Sequence, residues 1–406
     1  MIKKVLLTSG HYFLGSLVGK VLSTLTFIVL AKLLLPEGLG QVALFTTTAD
    51  VITVFSSFGL TQWYLKHVTN EAAEVTFQKV LVARAILFGL TIAIALPVLL
   101  LLHPFSFVIS ACLLVILGSE SLLSIGDGYF LAKAEVWKVT SKVTSKMLCT
   151  LAGVAVLFLL GLPITAERVI VLYVLGSILT MLWFFPWHVL TPFRTIRLDG
   201  FPKIIKGSVP YAALIGTSFF YARADWFVVQ KFLGSASLGI YSAAYRYLEA
   251  VSLLPAALTQ NLFPLAAKRE GVRLHQVVKI TAMMATFGAV TGVVLFTFAG
   301  PLTIGLLGQA YAPAQSLVQI FAVAVFLFFV NSPLSTIVQS SDLVKKFLPF
   351  GVLNTVLNVV LNIIVVPRFG LAAAAYVMVF TEVSGLLVNV WFVSKIYRAV
   401  DSKRSS

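Results

Sequence analysis

Ten charged side chains sit inside long apolar stretches of this 406-residue chain: Lys20, Asp50, Arg84, Glu120, Asp127, Arg223, Asp225, Arg246, Glu249 and Glu382. An ionised group is costly in a bilayer, so such residues face a bundle interior or a wet cavity, where they pair or bind. Helical spacing gives them polar neighbours. Ser16, Lys20, Ser23 and Thr24 share one face; Thr46, Asp50, Thr53 and Ser57 form a second stripe, and Glu120, Ser124 and Asp127 a third. Ser242, Tyr245, Arg246, Glu249 and Ser252 form a fourth, in which Arg246 can pair with Glu249 at i, i+3. Asn354, Asn358 and Asn362 recur at spacing four, and Glu382 shares a later segment with Asn389.

Cations among polar neighbours suit an anionic solute, and a guanidinium fork fits phosphate bidentately. Lys20 and Arg246 are the sharpest anion-contact candidates, with Arg223, Arg84, Asn354 and Asn358 as further binding candidates. Asp50, Asp225, Glu249 and Glu382 are candidates for gating or ion coupling. The plainer alternative for each is helix–helix bonding. A structural or interfacial role is favoured for Glu120 and Asp127, and pairing with a neighbouring cation for Asp225, while Arg84 can equally snorkel at a helix end. Arg223 and Asp225 stand two apart, so they face different ways.

The elements that must position these groups are membrane helices. The chain is 59% hydrophobic and 11% charged, with a mean hydropathy of +0.99, too apolar for a soluble domain. About 20 apolar residues cross a bilayer core. Twelve segments qualify: 11–35, 41–63, 80–102, 105–130, 143–161, 168–190, 207–232, 240–265, 279–307, 313–341, 348–366 and 371–394. Twenty-two of the 30 lysines and arginines then fall on one side, among them Lys133, Lys138, Lys142 and Lys146. The other side has only Lys32, Arg168, Lys231 and Arg368. Basic short loops stay in the cytoplasm, which places both termini there.

The net charge of +15 is thus read as topology and contact with lipid headgroups. Nucleic-acid binding would need a soluble basic domain between the spans, for which there is no room. The first apolar run is too long for a signal peptide. Cys112 and Cys149 lie in apolar segments and suggest neither a disulfide nor a metal site. No phosphate-binding loop, zinc motif or nucleophile elbow occurs, so no cofactor is expected and any transport energy must come from gradients. Trp63, Trp187 and Trp391 fall near span ends, where interfacial aromatics are expected.

The stretch 191–206, TPFRTIRLDGFPKIIK, divides the chain into an N-terminal six-helix lobe (1–190) and a C-terminal one (207–394), followed by a basic tail (395–406). LGQVALFTTTAD at 39–50 and LGIYSAAYRYLE at 238–249 repeat at an offset of 199, each reaching a carboxylate. LTQ recurs at 60–62 and 258–260. Six intervening spans give both copies one orientation, a parallel repeat.

A lysine-bearing first helix followed by LAKLLLPEGLGQVALF resembles the opening of bacterial polysaccharide flippases of the multidrug/oligosaccharidyl-lipid/polysaccharide exporter superfamily. The stretch YARADWFVVQKFLGSASLGIYSAAYRYLEAVSLLPAALTQNLFPLAAK is similar to their seventh and eighth helices, through Asp225, the LGIYSAAYR run, Pro255 and Pro264. The resemblance covers nearly the whole chain. It implies an all-α polytopic membrane protein, with two six-helix lobes around a central cationic cavity that opens alternately to cytoplasm and outside. The implied cargo is an oligosaccharide on undecaprenyl diphosphate, moved across a bacterial inner membrane for O-antigen or exopolysaccharide synthesis. Lys20 and Arg246 would meet the diphosphate. Implied partners are this glycan, membrane lipids, and a polysaccharide polymerase with its chain-length machinery. Related peptidoglycan-precursor flippases carry two more C-terminal helices, which disfavours that cargo. A cation-coupled drug or metabolite exporter is the alternative; a polymerase or ligase would need a large outside loop.

Overall fold

The computed structural model describes residues 2–68, 73–102, 106–133, 135–190, 200–266 and 272–405. In an apolar solvent only hydrogen bonds within a segment, or a closed barrel, satisfy the backbone, and this chain takes the helical solution. Twelve α-helices and some short 3₁₀ and π turns make up the described residues, without a strand. They are α1 (Ile2–Ser57), α2 (Leu60–His67), α3 (Ala73–Leu102), α4 (Phe107–Ala132), α5 (Val136–Leu159) and α6 (Ala166–Phe184). Then come α7 (Phe201–Val251), α8 (Leu253–Ala266), α9 (Leu274–Thr297), α10 (Ala314–Gln339), α11 (Val344–Phe369) and α12 (Leu371–Ser405).

The partition differs from twelve separate spans. Expected spans 1 and 2 join as α1, and spans 7 and 8 as α7, because one non-helical residue replaces each expected loop. These residues are Leu35 (φ 57°, ψ 176°) and Gly234 (φ 81°, ψ 177°). The ends of spans 2 and 8 break away as α2 and α8, each bearing one copy of LTQ. Among the described residues nine helices are long and apolar enough to cross a membrane; α7, with Arg223, Asp225, Lys231, Arg246 and Glu249, is not among them.

Two compact units emerge. The first joins the chain up to Leu34 with Gln41–Phe220; the second joins Leu35–Gly40 with Tyr221–Ser406. This division lies within α7, downstream of the expected 191–206 linker. Residues 191–199, with Arg194, Arg197 and Asp199, lie outside the described residues, as do Lys268 and Arg269; Phe201–Lys206 already belong to α7. Likewise, α12 continues as helix through the expected tail to Ser405.

In the first unit α4 packs on α2, α5 and α6, above a core of Leu60, Tyr64, Phe77, Tyr129 and Phe185. Trp63 belongs to that core at 8% exposure and stacks on His67 at 4.3 Å, so it is not an interfacial anchor. Trp187 and Trp391 do remain exposed. In the second unit α10 is central, against α8, α9 and α12, with α11 on α12.

Within the second unit, the corners 35–40 and 234–239 meet backbone to backbone. A Cβ on Gly40 would lie 1.8 Å from the Ser235 carbonyl oxygen, and one on Gly239 would lie 1.8 Å from that of Pro36. The offset of 199 relates Gly40 to Gly239 and Pro36 to Ser235. The contact is therefore reciprocal, and only residues without a side chain permit it.

Candidate functional site

In the second unit, α7 brings two guanidiniums to one carboxylate. Arg246 Nη1 donates to Glu249 Oε2 at 2.9 Å, and Arg223 Nη2 donates to Glu249 Oε1. Arg223 and Glu249 lie on either side of the Gly234 break, so the kink folds one helix's charges together. The Arg223 guanidinium also stacks 4.3 Å from the Trp226 ring centroid and 5.1 Å from that of Tyr245. Both guanidiniums share the Glu249 carboxylate, and the buried Asp225 carboxylate also lies within electrostatic reach of Arg223. Arg223 Nη1 and Trp226 Nε1 are buried donors without a partner. Arg246 remains 35% exposed at its side chain. The cluster thus combines unpartnered buried donors with one partly exposed guanidinium.

Asp225 is buried beside it, accepting from Tyr241 Oη at 2.5 Å and from the Trp226 amide at 3.0 Å. As the two-residue spacing implied, Arg223 turns to Glu249 instead of Asp225. A second polar network joins α7, α10, α11 and α12. Glu382 accepts from Tyr221 Oη at 2.8 Å and from Asn331 Nδ2 at 2.9 Å, and Asn389 donates to Asn331 Oδ1 at 3.0 Å. Asn354 donates to the Thr381 carbonyl at 3.1 Å, Asn358 to Thr381 Oγ1 at 3.2 Å, and Asn362 to the Asn358 carbonyl at 2.9 Å. The amide nitrogens of the asparagine ladder thus bond within the bundle, while Asn354, Asn362 and Asn389 each keep a buried, unpartnered Oδ1. Asn331 and Tyr221 were missed from sequence; the signal for Asn331 was an amide within FAVAVFLFFVNSP.

The first unit holds a different arrangement. Lys146 Nζ donates to Glu120 Oε1 at 2.6 Å, Ser177 adds a bond to the same oxygen at 2.9 Å, and Lys142 pairs with Asp127. Lys142 and Lys146 are therefore residues of α5 neutralised by α4, not free charges of a basic loop. At the helix ends Lys138 pairs with Glu135 at 2.5 Å, and Lys133 with Glu74 at 3.4 Å. Arg84 of α3 is 1% exposed and donates to Ser121 and Ser124 of α4, so it does not snorkel. Lys20 and Asp50 are exposed, and the Thr24 hydroxyl bonds the Lys20 carbonyl at 2.9 Å. Among the described residues no three His, Cys, Asp or Glu side chains converge as metal ligands.

Fold and charge distribution define a multi-pass, all-α membrane protein. The chain belongs to the polysaccharide biosynthesis protein family, whose profile matches residues 8–270. It is 24% identical over 177 residues to the probable flippase AglR of Haloferax volcanii, a match covering 42% of this chain and only 37% of that relative. Its fold is that of the lipid II flippase MurJ in an inward closed conformation, with a TM-score of 0.72 at 14% identity, covering 96% of this chain and 87% of that one. An inward-facing multidrug resistance MATE family transporter of the MOP superfamily matches with the same TM-score and identity, over 95% and 96% of the chains.

Proposed function

We propose that this protein flips a diphosphate-linked oligosaccharide on a polyprenyl carrier across the cell membrane by alternating access, with both termini cytoplasmic. The observation that supports the reading is the Arg223–Glu249–Arg246 cluster, where the unpartnered Nη1 of Arg223 and Nε1 of Trp226 are donors suited to an anion's oxygens. Arg246, about one-third exposed, makes the first contact with the diphosphate, and Arg223 holds the cluster's second guanidinium against Trp226 and Tyr245. Lys20, exposed on α1, is the anion contact of the first unit in this reading. Arg84 is too deeply buried to touch so large a ligand. Asp225 and Glu382, buried and held by tyrosine hydroxyls, are the coupling or gating groups in this reading, and Asp50 and Glu249 are further candidates for that role. A polymerase and chain-length machinery would receive the glycan.

Deleting the gene and analysing lipid-linked sugars tests this. The expected result is an intact carrier-linked oligosaccharide that accumulates on the cytoplasmic face and clears on restoring the wild-type chain. Unchanged lipid-linked sugars together with sensitivity to cationic drugs would instead favour a cation-coupled exporter. The feature behind that second reading is Glu382, a buried carboxylate bonded by neutral groups alone in the bonds described.

A further inference from the structure

Each buried cation considered above except one has a carboxylate against it: Lys146 has Glu120, Lys142 has Asp127, and Arg223 has Glu249. Arg84 is the exception. It is among the largest fully buried side chains of the molecule, yet its polar contacts are two serines. Its Nε donates to Ser121 Oγ at 2.8 Å and its Nη2 to Ser124 Oγ at 2.9 Å, while Nη1 is buried without a partner. Among the described residues no carboxylate lies within ion-pair distance of this guanidinium. A guanidinium stays protonated in proteins, so its charge must be met by something other than proton loss.

We propose that Arg84 is the centre of a binding site for a small inorganic anion, a halide, buried between α3 and α4. The available groups are all donors. Nη1 carries two N–H bonds, and the Ser121 hydroxyl, having accepted from Nε, keeps its own proton to give. The Ser124 hydroxyl leans toward the Ser121 carbonyl at 3.4 Å, the edge of hydrogen-bond range. A ring of donors around a positive charge selects an acceptor of negative charge. Water would fill the hydrogen bonds and leave the charge uncompensated, which is the costly part of burial. Size sets the class: a group 1% exposed, with one nitrogen to offer, takes a single atom rather than a lipid phosphate or a sugar diphosphate. The site is separate from the arginine pair of α7, and it holds or fails independently of the cargo.

The test uses the purified full-length protein in detergent, without glycan, and follows heat unfolding in sodium gluconate, chloride, bromide and phosphate. Chloride and bromide should raise the midpoint in a concentration-dependent way. Above the dissociation constant, each tenfold increase in halide should raise the folded-to-unfolded ratio about tenfold. Gluconate and phosphate should have no such effect. Arg84→Leu should remove the halide response and the binding of about one labelled chloride per chain, and still fold, because an apolar replacement of a buried charge is commonly tolerated. If that variant does not fold, Ser121→Ala should move the halide response to higher concentration. The proposal is overturned by a wild-type midpoint indifferent to halide, by a response that phosphate reproduces, or by one that survives unchanged in Arg84→Leu or, failing that, Ser121→Ala.

Discussion

At the offset of 199, α1 and α7 break at matching residues, Leu35 and Gly234, with nearly the same backbone angles. Their side chains diverge. Where α7 has Arg223, Asp225, Arg246 and Glu249, α1 has Thr24, Thr26, Thr47 and Asp50. The threonine Thr24 bonds the Lys20 carbonyl one turn back at 2.9 Å, and Thr26 bonds that of Leu22 at 2.8 Å. Such hydroxyls satisfy themselves on their own helix. The α7 arginines instead take a carboxylate: Arg246 finds Glu249 three residues on, and Arg223 reaches it across the Gly234 break. The repeat therefore sets the backbone frame twice and the arginine–carboxylate cluster once.

The largest expected effect breaks this asymmetry directly. Arg246→Ala should lower glycan export by about 30-fold or more while the protein stays in the membrane, since a desolvated charge contact is worth about 2–5 kcal/mol. The matching changes Thr24→Ala and Thr47→Val should leave export within about twofold, the scale of substitutions away from special features. Measuring export against the amount of folded protein checks both; equal losses in the two helices would erase the distinction. Glu249→Gln comes next. It leaves two guanidiniums facing each other, and losing one partner of a buried pair costs about 3–5 kcal/mol. Its counterpart Asp50→Asn is exposed and should cost under about 1 kcal/mol. Thermal unfolding of the purified variants ranks them.

A third contrast lies between the α7 cluster and the balanced pairs of α4 and α5. Glu120→Gln should destabilise by about 3 kcal/mol, because it strands the Lys146 ammonium. Adding Lys146→Met should restore most of that loss, and export per folded molecule should be normal throughout. Lost export in the restored double variant would make the pair a working part of transport.

Much of this was legible from sequence, and the misses share one cause. Apolar runs located the helices, and three-and-four spacing found the stripes holding Arg246, Glu249 and the asparagines. Spacing tells which residues share a face but not which helix meets it. The pairing of Lys142 and Lys146 with α4, and of Asn331 with Glu382, therefore lay beyond it. Arg84 looked like a residue near a helix end, and only packing shows it sealed. Trp63 was assigned to the interface because distance along a helix does not reveal what covers it. The single-residue corners were invisible for another reason: PEGLG and LGSASLG carry turn residues, yet only Leu35, just before the first, and Gly234, within the second, leave the helix.

The smallest effect isolates that corner. Leu35 adopts φ 57° and ψ 176°, a region that suits glycine and strains a side-chain-bearing residue by about 1–3 kcal/mol. Its match, Gly234, occupies the same region at no such cost. Leu35 is 57% exposed, so deleting its side chain gives up little buried surface. Glycine loses about 0.4–1 kcal/mol through its freer unfolded chain. Leu35→Gly should thus stabilise the protein by about 0–2 kcal/mol. Gly234→Ala should do the reverse by a similar amount, and by backbone strain alone, since nothing lies within 4 Å of the added Cβ. Opposite shifts in the unfolding midpoint would show that the two copies share one backbone requirement and that only the second carries the residue suited to it. A lower midpoint for Leu35→Gly would mean that the leucine side chain holds the corner by contact, and the equivalence of the two breaks would end at geometry.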